Sequence, residues 1–320
     1  MIGKAIEKTY RSMLFVRIDD TGTVYYFSAD DFEGLEKKPF DFRTKSGNLL
    51  RGFFYFYEGH ETDRIVVFDH GMGCGHRAYM KEIECLARHG YLVYSYDHTG
   101  CATSEGDSVG GFSTSPADLD ACLTALKTER PMGDCRLSVI GHSWGAFSTM
   151  NIAACHPDVS HLVALAGPIS TEAMVAQSMV GPLALFRKRI LSLENKANPD
   201  YASLDARQSL ADTKIPVLII HSTDDKTVHY KRHFSPLKKA LSHKENITFL
   251  TVTGKGHNPN YTEAAVKHKD RLFAALAKKT KQKQMQTDEQ KKAFVASWDW
   301  NAVTEQDPAL WNEIFACLDR

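Results

Sequence analysis

The opening stretch, MIGKAIEKTYRSMLFVRIDD, lacks the long apolar run that a signal peptide or a membrane span requires. Together with cysteines that look reduced, this sets the expectation of a cytoplasmic protein without an integral membrane segment. No CxxC pair is present, and the seven cysteines (Cys74, Cys85, Cys101, Cys122, Cys135, Cys155 and Cys317) are scattered and odd in number. That pattern suggests neither a disulfide framework nor a zinc ribbon. His70, Cys74 and His76 lie close together but lack the second ligand pair that zinc sites usually have, so neither a metal nor a cofactor is expected. Charge of either sign is not in excess: Lys plus Arg and Asp plus Glu both number 39, which removes the bulk electrostatic case for a nucleic-acid or anionic-membrane partner. No internal repeat is visible.

What is there is enough for a real core. The chain has 320 residues, 43% of them hydrophobic and 24% charged, which suits one large domain with insertions or two modest ones. Short apolar runs recur at Ile65–Phe68, Tyr91–Tyr96, Leu137–Ile140, Leu162–Ala166, Val217–Ile220 and Ile247–Val252. Several are apolar nearly throughout, as in strands covered on both faces. Helical patterns separate them: Tyr79 to Arg88, a segment opened by Ser115-Pro116 and running to Glu129, another opened by Ser235-Pro236, and Glu263 to Lys278. This alternation predicts an α/β fold with a doubly wound, mostly parallel sheet. Ahead of it, Thr23–Phe27 and the residues around Ser46-Gly47-Asn48 read as antiparallel strands. Behind it, Lys278–Lys292 reads as a polar linker, followed by a helix from Asp307-Pro308 to about Leu318. The division expected is an N-terminal extension (1–38), a core (39–278) with an insertion at about 169–214, and a C-terminal helical extension (279–320).

The strongest chemical signal is Gly141-His142-Ser143-Trp144-Gly145, after one apolar strand and before a helical pattern from Ala146 to Cys155. A serine on so tight a turn adopts a strained backbone. The flanking glycines relieve crowding, and the hydroxyl is held above the sheet beside a helix N-terminus. Serine is a poor nucleophile at neutral pH unless an imidazole takes its proton and a carboxylate fixes the imidazole tautomer.

These motifs resemble the α/β-hydrolase superfamily, specifically its capped esterase, lipase and serine-aminopeptidase-like members, from about Phe42 to Lys278. His70-Gly71-Met72-Gly73 matches the family's oxyanion loop. Tyr96-Asp97-His98-Thr99-Gly100, leading to Ser104-Glu105-Gly106, matches the segment after the next strand, with Ala102 where the family usually has glycine. The resemblance implies the order Ser143, Asp225, His257 for nucleophile, acid and base, and the backbone amides of Met72 and Trp144 as the oxyanion hole. Asp225 is preferred to its neighbour Asp224 because Ser222 and Val228 flank it at the family's spacing. His221, His229 and His233 read as surface or packing residues. Between Pro168 and Ile215 no strand signal appears, and Met179, Leu183, Phe186 and Ile190 recur at helical spacing. The resemblance implies that this stretch is a cap over the site, which makes Met179, Leu183 and Phe186 candidate substrate-binding residues, while the consecutive charges Arg187, Lys188 and Arg189 are expected to face solvent.

The expected function is hydrolysis of a carboxylic ester, with a small-molecule acyl substrate, through an acyl-serine intermediate. Aminopeptidase, amidase or thioesterase activity on the same triad is the nearest alternative. An acyltransferase, a lyase, or a binding protein that keeps the fold without turnover belongs to other classes. Trp298, Trp300 and Trp311, three of the four tryptophans, fall in the tail, so the tail docks on its own domain or on a second subunit in a homodimer.

Overall fold

The computed structural model describes residues 2–60, 63–73, 75–129 and 135–320. Ten strands are present among them: β1 (Glu36–Pro39), β2 (Phe42–Arg43), β3 (Leu49–Leu50), β4 (Gly52–Phe56), β5 (Arg64–Asp69), β6 (Leu92–Tyr96), β7 (Arg136–His142), β8 (His161–Leu165), β9 (Val217–Ser222) and β10 (Ile247–Val252). Eight of them form one sheet in the order β1-β4-β6-β5-β7-β8-β9-β10, and β2 pairs with β3 in a small ribbon. Strands β5 to β10 run parallel, whereas β4 and β1 join one edge antiparallel. The apolar runs in β5 to β9 are buried almost end to end because helices cover both sheet faces.

The helices are α1 (Ile2–Leu14), α2 (Met80–Arg88), α3 (Thr114–Thr128), α4 (Trp144–Asn151), α5 (Thr171–Ser178), α6 (Arg187–Ala197), α7 (Ala206–Ser209), α8 (Phe234–Leu241), α9 (Glu263–Lys281), α10 (Asp288–Ala296), α11 (Trp300–Val303) and α12 (Pro308–Leu318). Leu119, Leu123 and Leu126 of α3 and Met150 of α4 close one sheet face with Leu237 and Leu241 of α8. Ile83 and Leu86 of α2 close the other, together with Leu310, Trp311, Ile314 and Leu318 of α12. The tail therefore docks on its own chain and supplies part of a core layer.

Strand order explains where the site lies. The chain passes from β5 to β6 on one side and then crosses to β7 on the other, leaving a crevice at the carboxyl ends of β5 and β7, the usual location for ligands in such sheets. Register brings the loops together there: Asp69 of β5 lies opposite Gly141 of β7, and Ser222 of β9 lies opposite Val252 of β10.

Several sequence expectations need correction. Thr23–Phe27 forms no strand; Phe27 packs into the core from an irregular segment. Helices α3 and α8 begin earlier than their Ser-Pro pairs suggested, at Thr114 and Phe234, so the prolines sit inside the first turn, where a missing amide costs nothing. Ser115 Oγ instead donates to the Trp144 carbonyl and to Ser148. Lys278–Lys292 is not wholly a linker, since α9 continues to Lys281 and α10 starts at Asp288 behind a Thr287–Gln290 capping box. Strands β1 and β4 and helix α1 were not foreseen. Among the described residues, no helix is long and apolar enough to cross a membrane.

Candidate active site

The turn between β7 and α4 carries Ser143 at φ 55° and ψ −113°, a left-handed conformation costly for a residue with a Cβ. Close packing holds it. A Cβ on Gly145 would lie 2.0 Å from the Asp69 carbonyl oxygen, and one on Gly141 would lie 2.4 Å from the Gly145 carbonyl oxygen. Only glycine lets β5, β7 and α4 approach so closely. The Ser143 amide donates to the Leu165 carbonyl (2.8 Å), which ties the turn to β8.

Ser143 Oγ lies 2.8 Å from His257 Nε2, and His257 Nδ1 lies 2.8 Å from Asp225 Oδ2. In the neutral ring Nδ1–H donates to the carboxylate and Nε2 accepts the serine proton. Asp225 is buried, whereas Ser143 and His257 remain partly exposed to the cleft. Burial alone would raise the Asp225 pKa, but His221, His257 and the Val228 amide hold it well below the usual carboxylate range. The Thr227 and Val228 amides donate to its other oxygen at 2.8 and 2.9 Å. Asp224 points elsewhere: it is exposed and accepts from the amides of Gly254 and Gly256, which shapes the loop that carries His257.

Three histidines do more than sequence reasoning allotted them. His221 is buried, with Nε2 3.3 Å from Asp225 Oδ2 and 2.8 Å from the Val228 carbonyl. His233 is buried and bonds to Gln177 of α5, whose oxygen also accepts from the His229 amide and whose nitrogen donates to the Thr227 carbonyl. Gln177 thus fastens the cap to the loop carrying Asp225. His142, inside the pentapeptide, donates Nε2–H to the His257 carbonyl (2.7 Å) and accepts from the Tyr79 hydroxyl at Nδ1 (2.9 Å). Burial, reinforced by the charge of His257, pushes its pKa well below the ordinary value, so the ring is neutral as this geometry demands. Replacing it by Phe breaks the link to the loop that carries His257. One hydrogen bond of about 1–1.5 kcal/mol corresponds to a five- to tenfold fall in kcat, with KM little changed, in steady-state assays of His142→Phe.

The loop after β5 is held from beneath. His70 donates Nδ1–H to the Gly71 carbonyl (2.7 Å) and accepts the His98 amide at Nε2 (3.0 Å); burial and the charge of His98 lower its pKa to about 3. His76 bonds through Nδ1 to Asp97 and through Nε2 to Tyr55. Both ring nitrogens of both histidines are therefore committed to protein partners, and Cys74 lies outside the described residues. A Cβ on Gly71 would lie 3.3 Å from Ser143 Cβ, so this loop borders the serine closely. Asp97 also accepts from the Thr103 amide and hydroxyl, fixing the following loop. There Ala102 takes φ 42°, so the backbone conformation that glycine favours is kept by an alanine.

Beneath the loops, fully buried His98 stands 2.9 Å from Asp69 and 3.2 Å from Asp118, with its ring against Trp144. Burial opposes the charged ring, but the two carboxylates outweigh it and raise its pKa to about 9. The stabilisation from this charge is fully present below pH 6.5, where the unfolded imidazole is also protonated, and is lost as pH rises through about 9. Thermal unfolding should therefore show a loss of up to about 3 kcal/mol between pH 6.5 and 9.5, muted in His98→Gln. A flat wild-type profile would mean that the folded ring is neutral.

The cap residues divide. Met179 lines an apolar pocket of about 310 Å³ together with Met72, Phe112, Met174 and Val175. Leu183 is 44% exposed and does not line it. Phe186 packs on α1, near Gly3 and Ile6. Pro182 opens a 3₁₀ turn over Gly181–Phe186, so the helical spacing assumed across Met179–Ile190 is interrupted and Leu183 swings outward. Of the basic trio, Arg187 donates to the Met179 and Ala176 carbonyls and Arg189 pairs with Glu7 of α1, so neither simply faces solvent. A larger, more polar pocket of about 430 Å³ lies beside Lys45, Thr99 and Tyr201; neither pocket has Ser143, Asp225 or His257 in its lining, but the smaller one includes Met72 of the loop that borders Ser143.

Residues 60–208 match the family model described as serine aminopeptidase, S33. An esterase of Pyrococcus furiosus has a similar structure, with a TM-score of 0.59 at 20% identity over 88% of this chain and 98% of its own. An α/β-hydrolase from Penicillium superposes with a TM-score of 0.53 at 17% identity, covering 69% of this chain and 91% of its own. An uncharacterised protein of Rickettsia prowazekii is 24% identical over 222 residues, 68% of this chain and 84% of its own. The chain therefore has the α/β-hydrolase fold, and the segment 60–208, a little under half of its length, is similar to the serine aminopeptidase, S33 family.

Proposed function

We propose that the protein is a serine hydrolase that cleaves a carboxylic ester through an acyl-serine intermediate. The observation that carries this reading is the unbroken Asp225–His257–Ser143 chain, with both contacts at 2.8 Å, at the carboxyl edge of the sheet. His257 takes the Ser143 proton as Oγ attacks the ester carbonyl. Asp225 stabilises the imidazolium that results, and the amides of Met72 and Trp144 receive the oxyanion. His257 then returns the proton to the leaving alcohol, and water repeats the cycle on the acyl-enzyme.

An ester is favoured over an aminopeptidase substrate by the pocket next to Met72. An exopeptidase that reads a free α-amino group needs an anion to hold it, and no residue lining this pocket is acidic. Glu194 of the cap is buried nearby, but its carboxylate is already occupied by the Tyr10 hydroxyl and the Phe112 and Ser113 amides. A panel of p-nitrophenyl esters and aminoacyl anilides tests the reading directly. Release of p-nitrophenol, with anilides untouched, is expected; preferential cleavage of the anilides would replace the esterase by an aminopeptidase.

A further inference from the structure

Helix α1 lies outside the segment that matches the family model, and none of its residues is buried. It is nevertheless fastened to the cap. The Tyr10 hydroxyl donates to Glu194 (2.6 Å), Arg189 pairs with Glu7 (2.6 Å), and the Gly3 backbone abuts the Phe186 ring. Through these contacts α1 becomes a wall of the apolar pocket of about 310 Å³, contributing Tyr10, Met13 and Leu14, opposite Met72 of the oxyanion loop. Thr171 also lines the pocket, and its fully buried Oγ1 has no hydrogen-bond partner. Five of the eight exposed large apolar side chains among the described residues sit on bordering elements: Ile2 and Met13 on α1, and Val180, Leu183 and Leu185 just past Met179.

From this arrangement we infer that the pocket under α1 binds the hydrocarbon chain of a medium-length acyl group, so that the N-terminal helix sets chain-length specificity. The inference rests on the esterase reading for its link to turnover, but not for binding. At roughly 30 Å³ per water-sized group, the cavity accommodates about ten such groups, a chain of eight to ten carbons. A pocket this apolar discriminates by chain length: each methylene moved from water into it strengthens binding about fourfold. The pocket abuts the loop whose Met72 amide faces the reacting carbonyl in the proposed mechanism, so the acyl side of the ester, rather than the alcohol side, occupies it. The free Thr171 hydroxyl offers a hydrogen bond to a polar substituent on that chain.

Two measurements on the full chain test this. In the first, kcat/KM for p-nitrophenyl esters is followed from two to fourteen acyl carbons, roughly spanning the cavity estimate. It should climb about fourfold per methylene to a maximum near eight to ten carbons and then fall. In Ser178→Trp, which places an indole at the exposed pocket-lining end of α5, the maximum should shift to shorter chains. In Met13→Asp, which sets a carboxylate at the 57% exposed rim, preference for long over short chains should drop at least tenfold. In the second, calorimetric titration of decanoate into Ser143→Ala should show binding that Ser178→Trp in that background weakens at least tenfold. Decanoate binding without any ester turnover would overturn the esterase reading and leave this one standing. A chain-length profile that is flat or best at acetate, or decanoate binding that is absent or unchanged by Ser178→Trp, would overturn the assignment of the pocket.

Discussion

Asp225→Asn is expected to lower kcat by about 10⁴-fold with a much smaller change in KM. The carboxylate has no freedom to be replaced quietly. One oxygen accepts the Thr227 and Val228 amides, and the other faces His257 Nδ1 at 2.8 Å with His221 Nε2 3.3 Å away. An asparagine keeps its carbonyl oxygen on the two amides and turns its NH₂ toward His257. That side chain then donates where it must accept, and the imidazole moves its proton to Nε2. A ring protonated at Nε2 cannot take the proton of Ser143. Substrate binding does not use this group, so KM is spared. Asp224→Asn leaves an oxygen for the Gly254 or Gly256 amide and should cost no more than about tenfold. Steady-state kinetics on the two variants rank them; the reverse order would move the acid of the triad by one residue.

The sequence made the sheet and the three proposed triad positions legible for a physical reason. The strands β5 to β9 are apolar runs buried on both faces, and a strand-to-helix turn with glycines at 141 and 145 tolerates few other sequences. Asp225 and His257 follow the carboxyl ends of β9 and β10, on the same edge of the parallel sheet as the elbow. What stayed hidden depends on contacts distant in the chain. Helix α1 buries no residue and acquires its place through distant contacts, among them Tyr10 with Glu194 and Glu7 with Arg189, each more than 180 positions apart. The cap residues were misplaced because one helical period was carried through Gly181-Pro182, where the chain changes to a tighter turn. Met179 precedes the break and lines the pocket, whereas Leu183 and Phe186 follow it and do not. His142 was passed over as an unspecified position between Gly141 and Ser143. Its bond to the His257 carbonyl joins two loops that the primary structure separates by 115 residues.

Ser143→Ala is expected to have the largest effect of any single substitution, a fall of about 10⁶-fold in kcat. The strained backbone at φ 55° costs stability and holds Oγ against His257 Nε2. Alanine can occupy the same turn, so the fold, the cap and the pocket should survive, and unfolding should occur at a temperature equal to or above that of the parent. Only the atom proposed to form the acyl bond is removed. The residual rate then measures what the proposed oxyanion donors, the Met72 and Trp144 amides, contribute without a nucleophile.

The most direct measurement of the central claim is covalent. Native protein is treated with a fluorophosphonate probe, and the intact mass and the labelled peptide are read by mass spectrometry. One adduct per chain on Ser143, formed progressively more slowly as His257 or Asp225 is replaced and absent from Ser143→Ala, is the predicted result. Label on another residue, or undiminished labelling of Ser143→Ala, would contradict the assignment of Ser143 as the nucleophile.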